Sequence, residues 1–220
     1  SPCDPISGYG CTDIQNGYSE EMPRLREFDP QTVLAEATQI FWRNGYADTS
    51  MEDIVSETGV SRYGLYGTFG NKKELLVAAI RHYEQTMGQL LMSGLQQSDA
   101  GLSEIIDYWR TIGEHAKDEK FCAGCLFVNV SAEVAPHDED VSAEMQRIDK
   151  DHQALFARAI RNGQSNGDIP NEVDSNASGL MMVGLTRGLA LMVRAGTNSE
   201  ALWPAVDAAL ATLIKVKKIS

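Results

Sequence analysis

The stretch "SETGVSRYGLYGTFGNKKELL", residues 56–76, decides the fold. Thr58-Gly59 closes a short helix, because glycine takes the left-handed conformation that ends one. Ser61 then caps a second short helix, in which Leu65 and Phe69, four residues apart, face inward and leave Arg62, Tyr63 and Tyr66 on or near the outer face. Asn71 and Glu74 form the cap of a longer helix that follows at once. Two short helices joined by a glycine turn and flanked by longer ones make a helix-turn-helix, whose second helix offers its polar start to a DNA major groove.

The flanking sequence supports that reading. Asp29 caps a preceding helix, Pro30 suits its first position, and Phe28 staples onto Val33. Val33, Leu34, Ala37, Ile40 and Phe41 share one face, and Asn44-Gly45 stops the helix. Ser50 and Asp53 form a capping box for the next helix, which turns Met51, Ile54 and Val55 inward. Beyond Asn71, a long stripe of Leu75, Leu76, Ala79, Ile80, Tyr83, Met87 and Leu90 predicts one uninterrupted amphipathic helix.

With these residues in place, "TSMEDIVSETGVSRYGLYGTFGNKKELL" resembles the N-terminal DNA-binding domain of the TetR family of transcriptional repressors. Thr49, Ile54, Thr58-Gly59-Val60-Ser61, Leu65-Tyr66, Phe69, Lys72 and Leu75 stand where that pattern has them, over roughly residues 26–76. The chain departs from it at Tyr63, usually a small residue, at Gly64, usually Thr or Ser, and at Thr68, usually Tyr or His. Those positions face DNA in the family, so the operator sequence is this protein's own.

The resemblance implies a DNA-contacting set of Thr49, Ser50, Ser61, Arg62, Tyr63, Gly64, Tyr66 and Lys72. Arg62 and Tyr63 suit base edges. Thr49, Ser50, Tyr66 and Lys72 suit phosphates, since hydroxyls and helix N-termini position a duplex without reading it. Residues 24–80 hold six Lys and Arg against eight Asp and Glu, so specific contacts rather than bulk charge must supply affinity.

The rest of the chain reads as further helices. Leu102, Ile105, Ile106, Trp109 and Ile112 define a stripe, "CAGCLFVNVSAEV" a short apolar helix, "PHD" at 136–138 a turn, and residues 139–163 a longer amphipathic helix. Helices over 173–195 and 199–217 close the chain, the first carrying Gly179, Gly184, Gly188 and Ala190, the second interrupted by Pro204. In the TetR family such a pair builds a homodimer interface, which a two-fold operator requires. The resemblance also implies a small-molecule effector pocket, for which Trp109, Phe127, Met181, Met182 and Met192 are candidate lining.

The expected fold class is therefore all-α, with about nine helices. Residues 1–22 form an irregular arm in which Met22 reads as a natural start, 23–76 a helix-turn-helix domain, and 77–220 a helical regulatory, ligand-binding and dimerisation domain. "CAGC" carries the alternative: Cys122 and Cys125 have redox-dithiol spacing and would make a thiol-sensing regulator or, more distantly, a dithiol oxidoreductase. Thiol turnover would distinguish the oxidoreductase from either regulator.

Composition bounds the remainder. A net charge of −12 argues against a nonspecific nucleic-acid coat, and 43% hydrophobic residues suffice for a core. His115, His137 and His152 lack ligand spacing with one another or with a cysteine, so neither metal nor cofactor is expected. No run approaches ~18 consecutive apolar residues and no secretory pattern opens the chain, so a cytoplasmic protein without a membrane partner is the expectation.

Overall fold

The computed structural model describes residues 28–116 and 123–214. The arm at 1–22 and Cys122 lie outside the described residues. The described chain is helical: α1 (Pro30–Asn44), α2 (Met51–Thr58), α3 (Arg62–Phe69), α4 (Lys72–Tyr83), a π-helical turn (Glu84–Gly88), α5 (Gln89–Gln96), α6 (Leu102–His115), α7 (Leu126–Glu133), α8 (Glu139–Asn166), α9 (Ser175–Arg194) and α10 (Trp203–Ile214).

Local chemistry sets the helix ends. The Asp29 carboxylate accepts from the backbone N–H of Gln31 and Thr32 at the start of α1. Asp138 and Asp174 do the same for α8 and α9. Pro204 is the second residue of α10, in its first turn, just after a short 3₁₀ turn at Ser199–Leu202.

One helix departs from the sequence pattern. The stripe of α4 predicts burial of Leu90, but Leu90 is 46% exposed. The π turn adds a residue to the repeat, so the buried stripe passes from Tyr83 to Gly88, Met92 and Leu95 instead. α4, the π turn and α5 together form one rod over residues 72–96.

Two apolar cores result. The first gathers α1, α2, α3 and α4 with Leu126, Phe127 and Val130 of α7 and Val141, Met145 and Ile148 of α8. The second joins α5, α6, the later half of α8, α9 and α10 around Trp109, Phe156, Ile160 and Met182. α9 is, among the described residues, the helix with the length and mean hydropathy (1.2) of a membrane span. Its Met182 and Val183 are buried in the second core, and Gly179 lies so close to α8 that an added Cβ would stand 2.8 Å from the Gln153 carbonyl oxygen. Its other face, with Leu180 58% and Leu191 53% exposed, covers nothing among the described residues.

Candidate nucleic-acid interface and effector cavity

Capping and two anchors fix the helix-turn-helix. Ser50 Oγ accepts from the Asp53 N–H at 3.1 Å, while the Asp53 carboxylate accepts from the Ser50 N–H and hydroxyl, both at 2.7 Å. These bonds hold the Asp53 carboxyl below its usual range. Gly59, at φ +67°, turns the chain, and Ser61 Oγ accepts from the Gly64 N–H to start α3. Leu65 is wholly buried and locks α3 onto the core.

What α3 leaves outside is aromatic and cationic. Tyr63 is 76% exposed, and beside it Gly67 has open space where a side chain would be. The Arg62 guanidinium lies 5.5 Å from the Tyr66 ring centre and pairs with Glu52 of α2 at 2.5 Å. Tyr66, then Glu52, hold that guanidinium's pKa above its ordinary value. Both members of the pair are largely exposed, so Arg62 can exchange Glu52 for another anionic or accepting partner at small cost.

Two of the residues expected to contact DNA are turned inward. Thr49 is fully buried, and its hydroxyl donates to the Gly45 carbonyl at 2.6 Å. It secures the α1–α2 link and offers no hydroxyl to a phosphate. At Gly64 an added Cβ would stand 3.0 Å from the Phe28 ring and 3.2 Å from Val60, so this position faces the protein. Ser50 and Ser61 are exposed but committed as caps. Lys72 lies at the start of α4 with Nζ 4.1 Å above the Tyr46 ring.

Beside the second core, a cavity of about 120 Å³ is lined by Trp109 and Ile112 of α6, Leu189 and Val193 of α9, and Trp203 and Val206 of α10. A smaller space of about 40 Å³ adjoins it, lined by Tyr108, Phe127, His152, Phe156 and Arg187. Tyr83, Met87, Leu91, Cys125 and Thr186 belong to both walls. Of the expected pocket residues, Trp109 and Phe127 are there. Met182 is packed in the core, and Met181 and Met192 are 38% and 45% exposed on the far face of α9, because the 3.6-residue repeat turns them away from α6.

Arg187 is the residue that pattern reading passed over. It is a lone cation in the apolar run "MMVGLTRGLALMV", a signal for a buried, partnered charge. It binds Asp149 at 2.5 Å, lies 5.0 Å from the Phe127 ring centre and donates through Nη1 to Cys125 Sγ at 3.6 Å. Burial, reinforced by the Arg187 charge, pushes the nearby His152 down to about 4. Among the described residues no group of three or more His, Cys, Asp or Glu has metal-binding geometry.

The N-terminal module matches the bacterial regulatory proteins of the tetR family over residues 33–79, and residues 94–209 match the tetracyclin repressor-like C-terminal domain. The chain belongs to the TetR family. It is thus a helix-turn-helix transcriptional regulator. It is 25% identical over 193 residues to the HTH-type transcriptional regulator YezE of Bacillus subtilis, covering 87% of this chain and all of YezE. It is 24% identical to the HTH-type transcriptional repressor ComR of Escherichia coli, covering 87% of this chain and 91% of ComR. A cysteine mutant of the TetR-family regulator CifR, solved with a 26-bp operator duplex, superposes with a TM-score of 0.76 at 24% identity, over 85% of this chain and 98% of that one.

At the joints between the DNA module and the rest of the chain, polar contacts are added to the apolar core that α1–α4 share with α7 and α8. Glu133, at the end of α7, accepts from the Tyr46 N–H at 2.9 Å and the Ala47 N–H at 2.5 Å, in the α1–α2 link. Lys73 bridges Asp138 at 3.0 Å and Asp140 at 2.7 Å at the start of α8. Trp42 Nε1 donates to the Gly124 carbonyl at 3.1 Å. Arg147 of α8 pairs with Glu84 of the π turn at 2.6 Å. Glu133 escapes pattern reading because nothing local marks it; its partners are more than eighty positions earlier.

Proposed function

We propose that the protein is a repressor that binds a two-fold DNA operator as a homodimer through α2 and α3, and is released when a small molecule fills the cavity between α6, α9 and α10. The observation that carries the reading is the outer face of α3. Tyr63 and Arg62 project from a helix anchored by Leu65, with no packing role to explain their exposure. In this assignment Arg62 and Tyr63 read bases, and Ser50, Ser61, Tyr66 and Lys72 lie against the backbone. The CifR complex with operator DNA supports the same use of the fold. Residues 23–76 then act as the DNA-binding unit and 77–220 as the regulatory one.

The dimer is assigned to the uncovered face of α9. Leu180, Met181, Leu191 and Met192 are exposed there, and Gly184 and Gly188 have open space above them, which allows a second helix to approach closely. Signal passes along the rod of residues 72–96. Its α4 end carries Lys72 and Lys73 beside the DNA module, while Tyr83, Met87 and Leu91 line the cavity. The π turn, with its poorer hydrogen bonding, is the deformable element between them. A coupling of ~1–3 kcal/mol suffices to weaken operator binding 5- to 150-fold.

Selection of duplexes from a random pool tests the reading. Enrichment of a palindrome bound by two protomers is the expected result; no enriched sequence, with folded protein, would refute it. A second reading rests on Cys125, whose sulfur lies in the wall of both cavities beside the Arg187 guanidinium. There oxidation of the thiol, alone or with Cys122, releases the operator. This reading is wrong if Cys125→Ser responds to peroxide as the wild type does.

A further inference from the structure

Several carboxylates of the DNA-binding module serve the fold. Asp29, Asp53 and Glu74 accept from backbone N–H groups at helix starts, and Glu57 pairs with Arg43 to tie α2 to α1. Glu52, in the first turn of α2, is used differently. Its Oε1 accepts from Nη1 of Arg62, the first residue of α3, at 2.5 Å. The two side chains are 61% and 64% exposed, so the pair adds little to stability.

What the pair does control is the Arg62 guanidinium, held by α2 through Glu52 and by α3 through the Tyr66 ring, whose centre is 5.5 Å away. Ile54 and Leu65, both wholly buried, fix the two helices in one core, so the carboxylate travels with the recognition helix. To read a guanine, an Arg gives two N–H groups to O6 and N7. Here one terminal nitrogen is already on a carboxylate, a stronger acceptor than a single neutral oxygen. Once Arg62 leaves, the Glu52 charge stands uncompensated beside the phosphates. The two acceptors of guanine offset that loss. A lone phosphate only exchanges one anion for another and leaves the carboxylate exposed to its own sign.

Resting on the DNA-reading assignment of α3, we infer that Glu52 is a specificity-determining residue: it competes with DNA for Arg62 and gives it up only to a base edge with two acceptors, as guanine has. On a mismatched duplex the pair stays closed, and Arg62 supplies neither a base contact nor a neutralised phosphate. The module gains discrimination rather than affinity, in keeping with six Lys and Arg against eight Asp and Glu over residues 24–80.

The test is duplex selection from a random pool by wild type and Glu52→Gln, then titration of the selected and a scrambled duplex at two salt concentrations. Glu52→Gln should bind the scrambled duplex about two- to fivefold tighter per protomer, the strength of an exposed ion pair, with a salt slope steeper by about 0.9 for the phosphate that Arg62 then reaches. Its affinity for the selected duplex should stay within about twofold of wild type. Its own selection should lose the preference for guanine at one position of each half-site and keep the rest. In an Arg62→Ala background the same substitution should leave the ratio of the two affinities unchanged within about twofold, since no guanidinium is contested. Glu52→Ala, with the same expected results, takes its place if the Gln variant does not fold. Equal tightening on both duplexes, or a changed ratio that persists without Arg62, would overturn the inference in favour of plain charge repulsion. Weaker binding of the selected duplex by Glu52→Gln would overturn it too, because Glu52 would then only orient Arg62. An intact palindrome selected identically by both proteins would remove this inference alone, whereas no duplex enriched by wild type would remove the DNA-reading assignment along with it.

Discussion

Replacing Glu133 with alanine removes the one side chain that ties the end of α7 to the backbone of the α1–α2 link. Two bonds are lost, from the half-buried Tyr46 N–H at 2.9 Å and from the exposed Ala47 N–H at 2.5 Å. Hydrogen bonds to a charged acceptor contribute about 1.5–3 kcal/mol each where buried. Water re-solvates the freed Ala47 amide, so the loss is weighted toward Tyr46 and comes to about 2 kcal/mol in total. For a chain of this size that lowers the melting temperature by about 4–8 °C. Glu133→Gln keeps a neutral acceptor for one amide and should lose about half as much. Because α2 hangs from the same link, operator affinity should fall in the same order, wild type above Gln above Ala. Thermal melts followed by circular dichroism and operator titrations read both effects. Identical melting of wild type and Glu133→Ala would refute the reasoning; so would a Gln variant as unstable as the Ala one.

Three further outcomes follow from the same geometry. Gly124, at φ +75°, has no room for a Cβ, which would stand 3.0 Å from both the Ala190 carbonyl oxygen and the Arg194 Cβ; Gly124→Ala should cost about 2–3 kcal/mol by urea unfolding. His152 titrates near 4 when folded against 6.5 otherwise, so between those values the unfolded chain binds the extra proton. Stability should therefore fall as pH drops from about 6.5 to about 4, by about 3 kcal/mol in all, and His152→Gln should flatten that part of the curve. On α9, Leu180→Arg should halve the sedimenting mass at micromolar concentration while leaving the helical content intact, since Leu180 is 58% exposed within the chain.

The parts of this protein legible in its sequence are those whose causes are local. Asp29, the Ser50–Asp53 box, Ser61 and the Asn71–Glu74 box all cap where their spacing says, because a cap bonds within three residues of itself. Leu65 inward and Tyr63 outward follow from helical period alone. The failures share a different cause. Leu90 is exposed because a π turn shifts the repeat, and no residue in Glu84–Gly88 announces that turn. Thr49 stands at a family position yet is buried, since the Gly45 carbonyl claims its hydroxyl. The glycines of α9 read alike and divide in the fold, Gly179 against α8 and Gly184 and Gly188 toward open space. Met181 and Met192 looked like pocket residues by type, whereas the walls are set by which helices cross, and Trp203 joins them from the last helix.

The outer face of α3 is the centre of the account, and one titration addresses it most directly. Wild type and Tyr63→Ala are titrated against the duplex selected from a random pool and against a scrambled duplex, at two salt concentrations. The account predicts that Tyr63→Ala weakens the selected site by about tenfold, with scrambled-duplex binding and the salt slope nearly unchanged, because Tyr63 reads sequence and does not neutralise phosphate. Equal affinity of both proteins for the selected duplex would contradict it, and would show that DNA is read from another surface.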